Sequence, residues 1–518
     1  MGCGGEMSKE RMLAIEKALT PTYKTLPKNS YGRIERRSLR YLAHRYFTQK
    51  SSLWIRGFEP TRPVNHSAWG SEDILSQRVP AFVESVLESS HAQVKGFDLK
   101  EAVRMVATLE QLIFDSESAL LEAVYSHQYK KTSRSLSAAG IGQVLEEYMV
   151  RWMMGDDLES VQILLSNKSL LDEHVPHWQK VVKFVNGEVS TLDFQRKRTP
   201  TKLSRPGHNA LAPYYSFEDA HHVVGGITGS FASFWQSECS DMKVSLVEMD
   251  PQNTGRVPLS KFYHSALDTE WRFGESESYL RDLGALDETS GRKQVIIANY
   301  IQGASNCIIS SSHYLVCCVT ECESMLGEIE RAVGSPLALV SDILPLVGNM
   351  TSQTTVDHDD PPKLDGALTA QLEQIAATHG GKVPLHGRLF AQWLHYAFPH
   401  ECVFPHMSGT AAVTTPSEYG DNYVASADEM KQHVKSRDTF IDTKVDKEEL
   451  QWMSQWSEEE ELIGTYSELQ ESFLSKHLLT VSGAAILVLG LFGILSLSRG
   501  GAVGDTSLLA NDGKTHFV

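Results

Sequence analysis

The 518-residue chain sets 65 acidic residues against 48 basic ones, a net charge of -17 at pH 7, and 41% of it is hydrophobic. That composition excludes a largely disordered or fibrous chain and offers nucleic acid no general attraction, while leaving ample apolar residues for two to four cored domains. The charge is uneven: residues 1–62 carry 13 Lys/Arg against 5 Asp/Glu, or +8, so the remainder carries 35 against 60, or -25.

The N-terminus, Met-Gly-Cys-Gly-Gly-Glu, has no apolar stretch that a secretory translocon would take up, which predicts a cytosolic body and reduced thiols at the seven cysteines. Gly2 is a weak candidate for myristoylation and Cys3 for palmitoylation, the motif being partial because Glu6 stands where Ser or Thr is usual. Residues 33–50 space Ile34, Leu39, Leu42, Tyr46 and Phe47 at helical intervals among five arginines. Two readings stay open for this stretch: an ordinary surface helix, or a basic amphipathic helix that touches anionic lipid.

From there the spacing predicts a mainly α, multi-domain body: a basic region over 1–62, a helical domain over 63–195, and a polar linker over 196–213. A second helical domain follows over 214–350, then an acidic linker at 351–366 and further helix over 367–440. Residues 441–477 read as an acidic stalk, with nine acids against Lys447 alone between 446 and 471. Leu478 to Ser498 is a run of 21 uncharged, mostly apolar residues. At 1.5 Å per residue it crosses a hydrocarbon core of about 30 Å, so it predicts a single transmembrane helix, with a polar tail at 499–518.

The one phrase with a recognisable chemical layout is Ser-Leu-Val-Glu-Met-Asp-Pro-Gln-Asn-Thr-Gly-Arg-Val-Pro-Leu at 245–259. With Asp250 as position 1 of a twelve-residue loop, Gly255 falls at the sharp turn of position 6 and Val257 at position 8. A second loop begins at Asp287, 37 residues on, with its glycine, Gly291, one residue early. On these residues, over roughly 230–303, the chain resembles the EF-hand superfamily, which implies a helix-loop-helix pair. The whole chain is also similar to single-span proteins of dinoflagellate-type algae.

The resemblance makes Asp250, Gln252, Thr254 and the backbone carbonyl of Arg256 the candidate calcium ligands. Position 12, where a bidentate Glu is needed, is Lys261, so calcium binding is expected to be weak at most. Gly381-Lys-Val-Pro-Leu385 echoes Gly255-Arg-Val-Pro-Leu259 and suggests a third helix-loop-helix, with Ala376 in the place of Asp250. Cys317, Cys318 and Cys322 fall in an amphipathic helical pattern and read as buried thiols, while His395, His400, Cys402 and His406 lack zinc-finger spacing. There is no G-x-S-x-G, phosphate loop, dinucleotide fingerprint or H-E-x-x-H. The expectation is a single-pass membrane-anchored binding or scaffold protein with an unidentified protein partner; the alternatives are a calcium sensor on the same pair, or an enzyme whose active site has no local motif.

Overall fold

In the computed structural model, residues 9–58, 96–198, 214–268, 272–351, 366–436 and 453–467 are described apart from a few isolated positions. The predicted lipidation residues Gly2 and Cys3 and the predicted span 478–498 lie outside them. Among the described residues no helix is long and apolar enough to cross a membrane.

The fold is mainly helical, and one device recurs along it. A loop ends on a buried or half-buried apolar residue in extended conformation, and this residue pairs antiparallel with the corresponding residue of a second loop just before each chain re-enters helix. The first such pairing joins Ile34 to Phe97. Ile34 follows α1 (Lys9–Thr25) and precedes α2 (Arg36–Ser51); Phe97 precedes α3 (Leu99–His127). Leu136 and Tyr215 pair likewise, before α4 (Ala138–Met154) and α8 (Phe217–Glu248). Between those two lie α5 (Leu158–Ser166), α6 (Ser169–His174) and α7 (Trp178–Arg198). The residues after three of the paired positions, Asp98, Ser137 and Ser216, are N-caps that bond backbone N–H groups of the helix they open. An apolar strand former followed by a capping side chain thus writes the switch from strand to helix locally.

The third pairing has true strands. In it, β2 (Arg256–Pro258) runs antiparallel to β4 (Gln294–Ile296) with Val257 opposite Val295, and β3 (Leu286–Asp287) adds to the other edge of β4. Its helices are α8 and α9 (Leu259–Asp268) around one loop, and α10 (Glu277–Asp282) and α11 (Ile297–Ile301) around the other. The fourth pairs β7 (Leu337–Ala338) with β8 (Val383–Pro384), between α12 (Glu321–Val333), α13 (Val340–Gly348), α14 (Gly366–Thr378) and α15 (Arg388–Ala397). The echo at 381–385 leads from α14 through β8 into α15, and its partner loop at 334–339 carried no sequence signal.

The described residues up to Thr465 form one compact unit. Its largest core runs from Ile15 to Ala232 and also takes in Ile309, Tyr314 and Val316; a second surrounds α9 to α11, and a third lies among α12 to α15. A small sheet of β1 (Leu53–Ile55), β5 (Ile309–Ser310) and β6 (Tyr314–Val316) stitches the N-terminal helices to the middle of the chain.

Over residues 33–50 the apolar stripe packs inward: Leu39, Leu42, Tyr46 and Phe47 are core, while Arg36 is exposed. Arg45, 1% exposed, pairs with Glu323 at 2.5 Å and with Glu330, and Arg33 binds Glu101. The Cys317–Cys322 stretch is not one helix, because β6 occupies Tyr314–Val316 and α12 starts only at Glu321. The acidic stretch before the apolar run is not all solvated stalk, since Glu460 pairs with Arg388 at 2.8 Å and buried Glu461 accepts from the Leu389 N–H at 2.9 Å.

Candidate functional site

The loop after α8 closes on Asp250, a buried carboxylate. Its Oδ2 accepts from the backbone N–H of Thr254 and of Gly255, both at 2.7 Å, and its Oδ1 accepts from Thr254 Oγ1 at 2.9 Å. His400 Nε2 reaches the same Oδ2 at 3.0 Å. Gly255 is in the left-handed region at φ 73°, and a side chain there would meet the Pro399 carbonyl oxygen at 2.5 Å. The turn 399–400 is therefore seated directly on the loop. Of the other candidate ligands, Gln252 is exposed and Thr254 is spent on Asp250. Lys261, at position 12, donates to the Met249 carbonyl at 3.2 Å and so fastens the end of α8.

Arg256 was a candidate through its carbonyl alone, yet its side chain is the connector of the site. Its Nε donates to Asp287 Oδ2 at 2.5 Å and its Nη1 to the Thr254 carbonyl at 3.2 Å; Nη1 also faces His395 Nε2 at 3.2 Å. Burial raises the Asp287 carboxyl, but Arg256 and the bonds from Thr289 outweigh it and hold that group below its ordinary range. Burial, with Arg256 next, pushes His395 down to about 3, so its ring is neutral. An arginine can only donate, so Nε2 accepts and the proton sits on Nδ1, which donates to the Cys402 carbonyl at 2.7 Å.

The second loop is longer by one residue. Val257 stands seven after Asp250, whereas its sheet partner Val295 stands eight after Asp287. Gly291, at φ 70°, takes up the difference. Glu288 turns outward to Arg281 at 2.9 Å, so Asp287 is the acid that the loop turns inward. The first acid of each loop is thus engaged by protein donors, and among the described residues no ring of oxygens is assembled of the kind a divalent cation needs.

The histidines and cysteine at 395–406 serve different partners. His395 and His400 plug the two loops, while His406 Nε2 meets the Gly284 carbonyl at 2.6 Å and Asn299 at 3.1 Å. Among the described residues no group of three or more His, Cys, Asp or Glu is placed to hold a metal ion. The expectation of free thiols is overturned: Cys239–Cys318, Cys307–Cys317 and Cys322–Cys402 are disulfides. Sequence reasoning missed two of them because partners 79 and 80 residues apart, Cys239 on α8 and Cys402 beyond α15, meet the 317–322 segment only in the folded chain. Lys243, 4% exposed, spans Glu321 and Glu401 at 3.1 Å beside them. No protein-family model, no curated protein and no solved structure matches this chain.

Proposed function

We propose that the chain is a membrane-anchored, non-enzymatic binding or scaffold protein built on a degenerate EF-hand-like pair, with 478–498 as its anchor in the bilayer. The observation that carries this reading is the closure of both loops: Asp250 and Asp287, the groups that would meet calcium, are held by Thr254, Gly255, His400, Arg256 and Thr289. A loop filled in this way works as a strut. It fixes the angle between its helices without metal, which leaves the outer helical surfaces to present a constant shape to a protein partner.

The test is calorimetric titration of the full chain with calcium, paired with melting curves in calcium and in chelator. The expected result is binding no tighter than the millimolar range and identical melts. Submillimolar binding that raises the melting temperature would overturn the strut reading in favour of a calcium sensor.

A further inference from the structure

The sequence Asn167-Lys168-Ser169 is an acceptor triplet for N-linked sugar, and its geometry suits that role. Asn167 ends α5 in extended conformation, and all three residues are exposed. Its Oδ1 accepts from the Ser169 N–H at 3.2 Å and from Ser169 Oγ at 2.7 Å. The serine hydroxyl therefore lies against the amide it must accompany, on an exposed residue. Asn349, in a second triplet, differs: its Nδ2 is engaged with the Pro345 carbonyl at 2.8 Å and the next residue, Met350, is buried. The third triplet, at Asn65, lies outside the described residues.

The disulfides supply an independent observation about place. Three of them draw six cysteines together around the 317–322 segment. Such bonds persist in oxidising compartments, whereas cytosolic thiols are kept reduced. N-linked sugar is added to proteins delivered to the same side of the membrane.

We propose that Asn167 is an N-glycosylation acceptor in a body that faces the oxidising side of the membrane, opposite to the side expected from the N-terminal sequence. In the transfer, Asn167 Nδ2 attacks the anomeric carbon of a lipid-diphosphate-linked oligosaccharide. A C–N bond forms, the sugar C–O bond to the diphosphate breaks, and Nδ2 gives up one proton as the lipid diphosphate departs. No oxidant or reductant takes part in this step.

The full chain, expressed in eukaryotic cells, is treated with peptide N-glycosidase, and its thiols are alkylated with and without prior reduction. The expected result is a glycosidase-sensitive mass that is lost in Asn167→Gln and Ser169→Ala but kept in Ser169→Thr, with six cysteines alkylated only after reduction. Both lost-acceptor variants change exposed residues, so each should melt with the parent. Absence of the mass shift, or a shift that persists unchanged in Asn167→Gln, overturns the acceptor; alkylation of all seven cysteines without reduction overturns the compartment.

Discussion

The third and fourth helix-loop-helix pairs share a backbone plan but close their loops by different means. In the third, a buried carboxylate gathers each loop, and Arg256 ties the two loops together through Asp287. In the fourth, the loop after α14 closes on its own backbone, with the Gly381 N–H on the Ala376 carbonyl at 2.7 Å and the His379 N–H on the same oxygen at 3.1 Å. Both present Gly-basic-Val to the strand position: Gly255-Arg256-Val257 opposite Val295, and Gly381-Lys382-Val383 opposite Ala338. The comparison teaches that the turn glycine and the apolar strand residue carry the plan, while acidic side chains are an optional filling. It also shows why the third pair cannot be read alone, because Pro399 and His400, just beyond the last helix of the fourth, complete its first loop.

The largest contrast is expected from the basic residue of each triplet. Arg256→Ala leaves Asp287 buried without its ion partner, and breaking a buried pair from one side costs about 3–5 kcal/mol. Lys382 is exposed, and Lys382→Ala should stay within about 0.5 kcal/mol of the parent in denaturant unfolding. Equal losses would erase the distinction between a charged and a backbone closure. The glycines give the next contrast. Both have positive φ, 73° and 90°, so alanine at either costs about 1–2 kcal/mol in backbone strain. Only at Gly255 does the new carbon also strike a backbone oxygen, whereas at Gly381 nothing lies within 4 Å. Gly255→Ala should therefore lose at least twice as much stability as Gly381→Ala.

A pH titration probes the bridge between the pairs. The His395 ring titrates near 6.5 when unfolded and is pushed down to about 3 when folded, so between those values the unfolded chain binds the extra proton. Its contribution to stability is full above pH 6.5 and is lost as pH falls. Between pH 7 and pH 5 this amounts to about 2 kcal/mol. His395→Asn, which keeps a donor and an acceptor, should flatten the acid limb by about that amount. An acid limb unchanged in the variant would place the sensitivity elsewhere.

Much of the third pair was legible in sequence because its markers are local: Asp250, Gly255 and Val257 sit at fixed spacing, and an amphipathic run follows them. The fourth pair was half legible, since Gly381-Lys-Val-Pro-Leu385 repeats the motif, but Gly334-Ser-Pro-Leu-Ala338 shares only the turn glycine and a small paired residue. The Ile34–Phe97 and Leu136–Tyr215 pairings left no trace, because one apolar residue before a cap is too short a pattern to stand out. The side-chain role of Arg256 was hidden for a different reason. It depends on Asp287 and His395, which are 31 and 139 residues away, and only tertiary packing gives a basic residue two such partners. The burial of Arg45 between α2 and α12 escaped for the same reason: an arginine among arginines reads as surface until Glu323 and Glu330, 278 and 285 residues on, arrive from the middle of the chain.

The smallest expected effect bears most directly on what the loops are. Lys261→Glu exchanges the cation at position 12 for a bidentate acid, and Thr254→Asp adds a carboxylate at position 5, so the first loop would regain three acids with Asp250. The fourth-pair loop has Ala376 at the matching first position and is the internal control, since nothing there can start a coordination shell. If the loop geometry is that of an EF-hand, the double variant should tighten calcium binding at least tenfold over the parent. At calcium ten times the new dissociation constant, it should gain about 1.4 kcal/mol in calcium-dependent stability. His400 holds the Asp250 oxygen on the loop side, so adding His400→Ala should enlarge the gain. A gain that appears only with His400→Ala would identify the 399–400 turn as the plug that keeps the loop a strut. A folded triple variant with no gain at all would mean that residues 250–261 merely share the outline of a calcium loop, and the EF-hand reading of the third pair would fall with it.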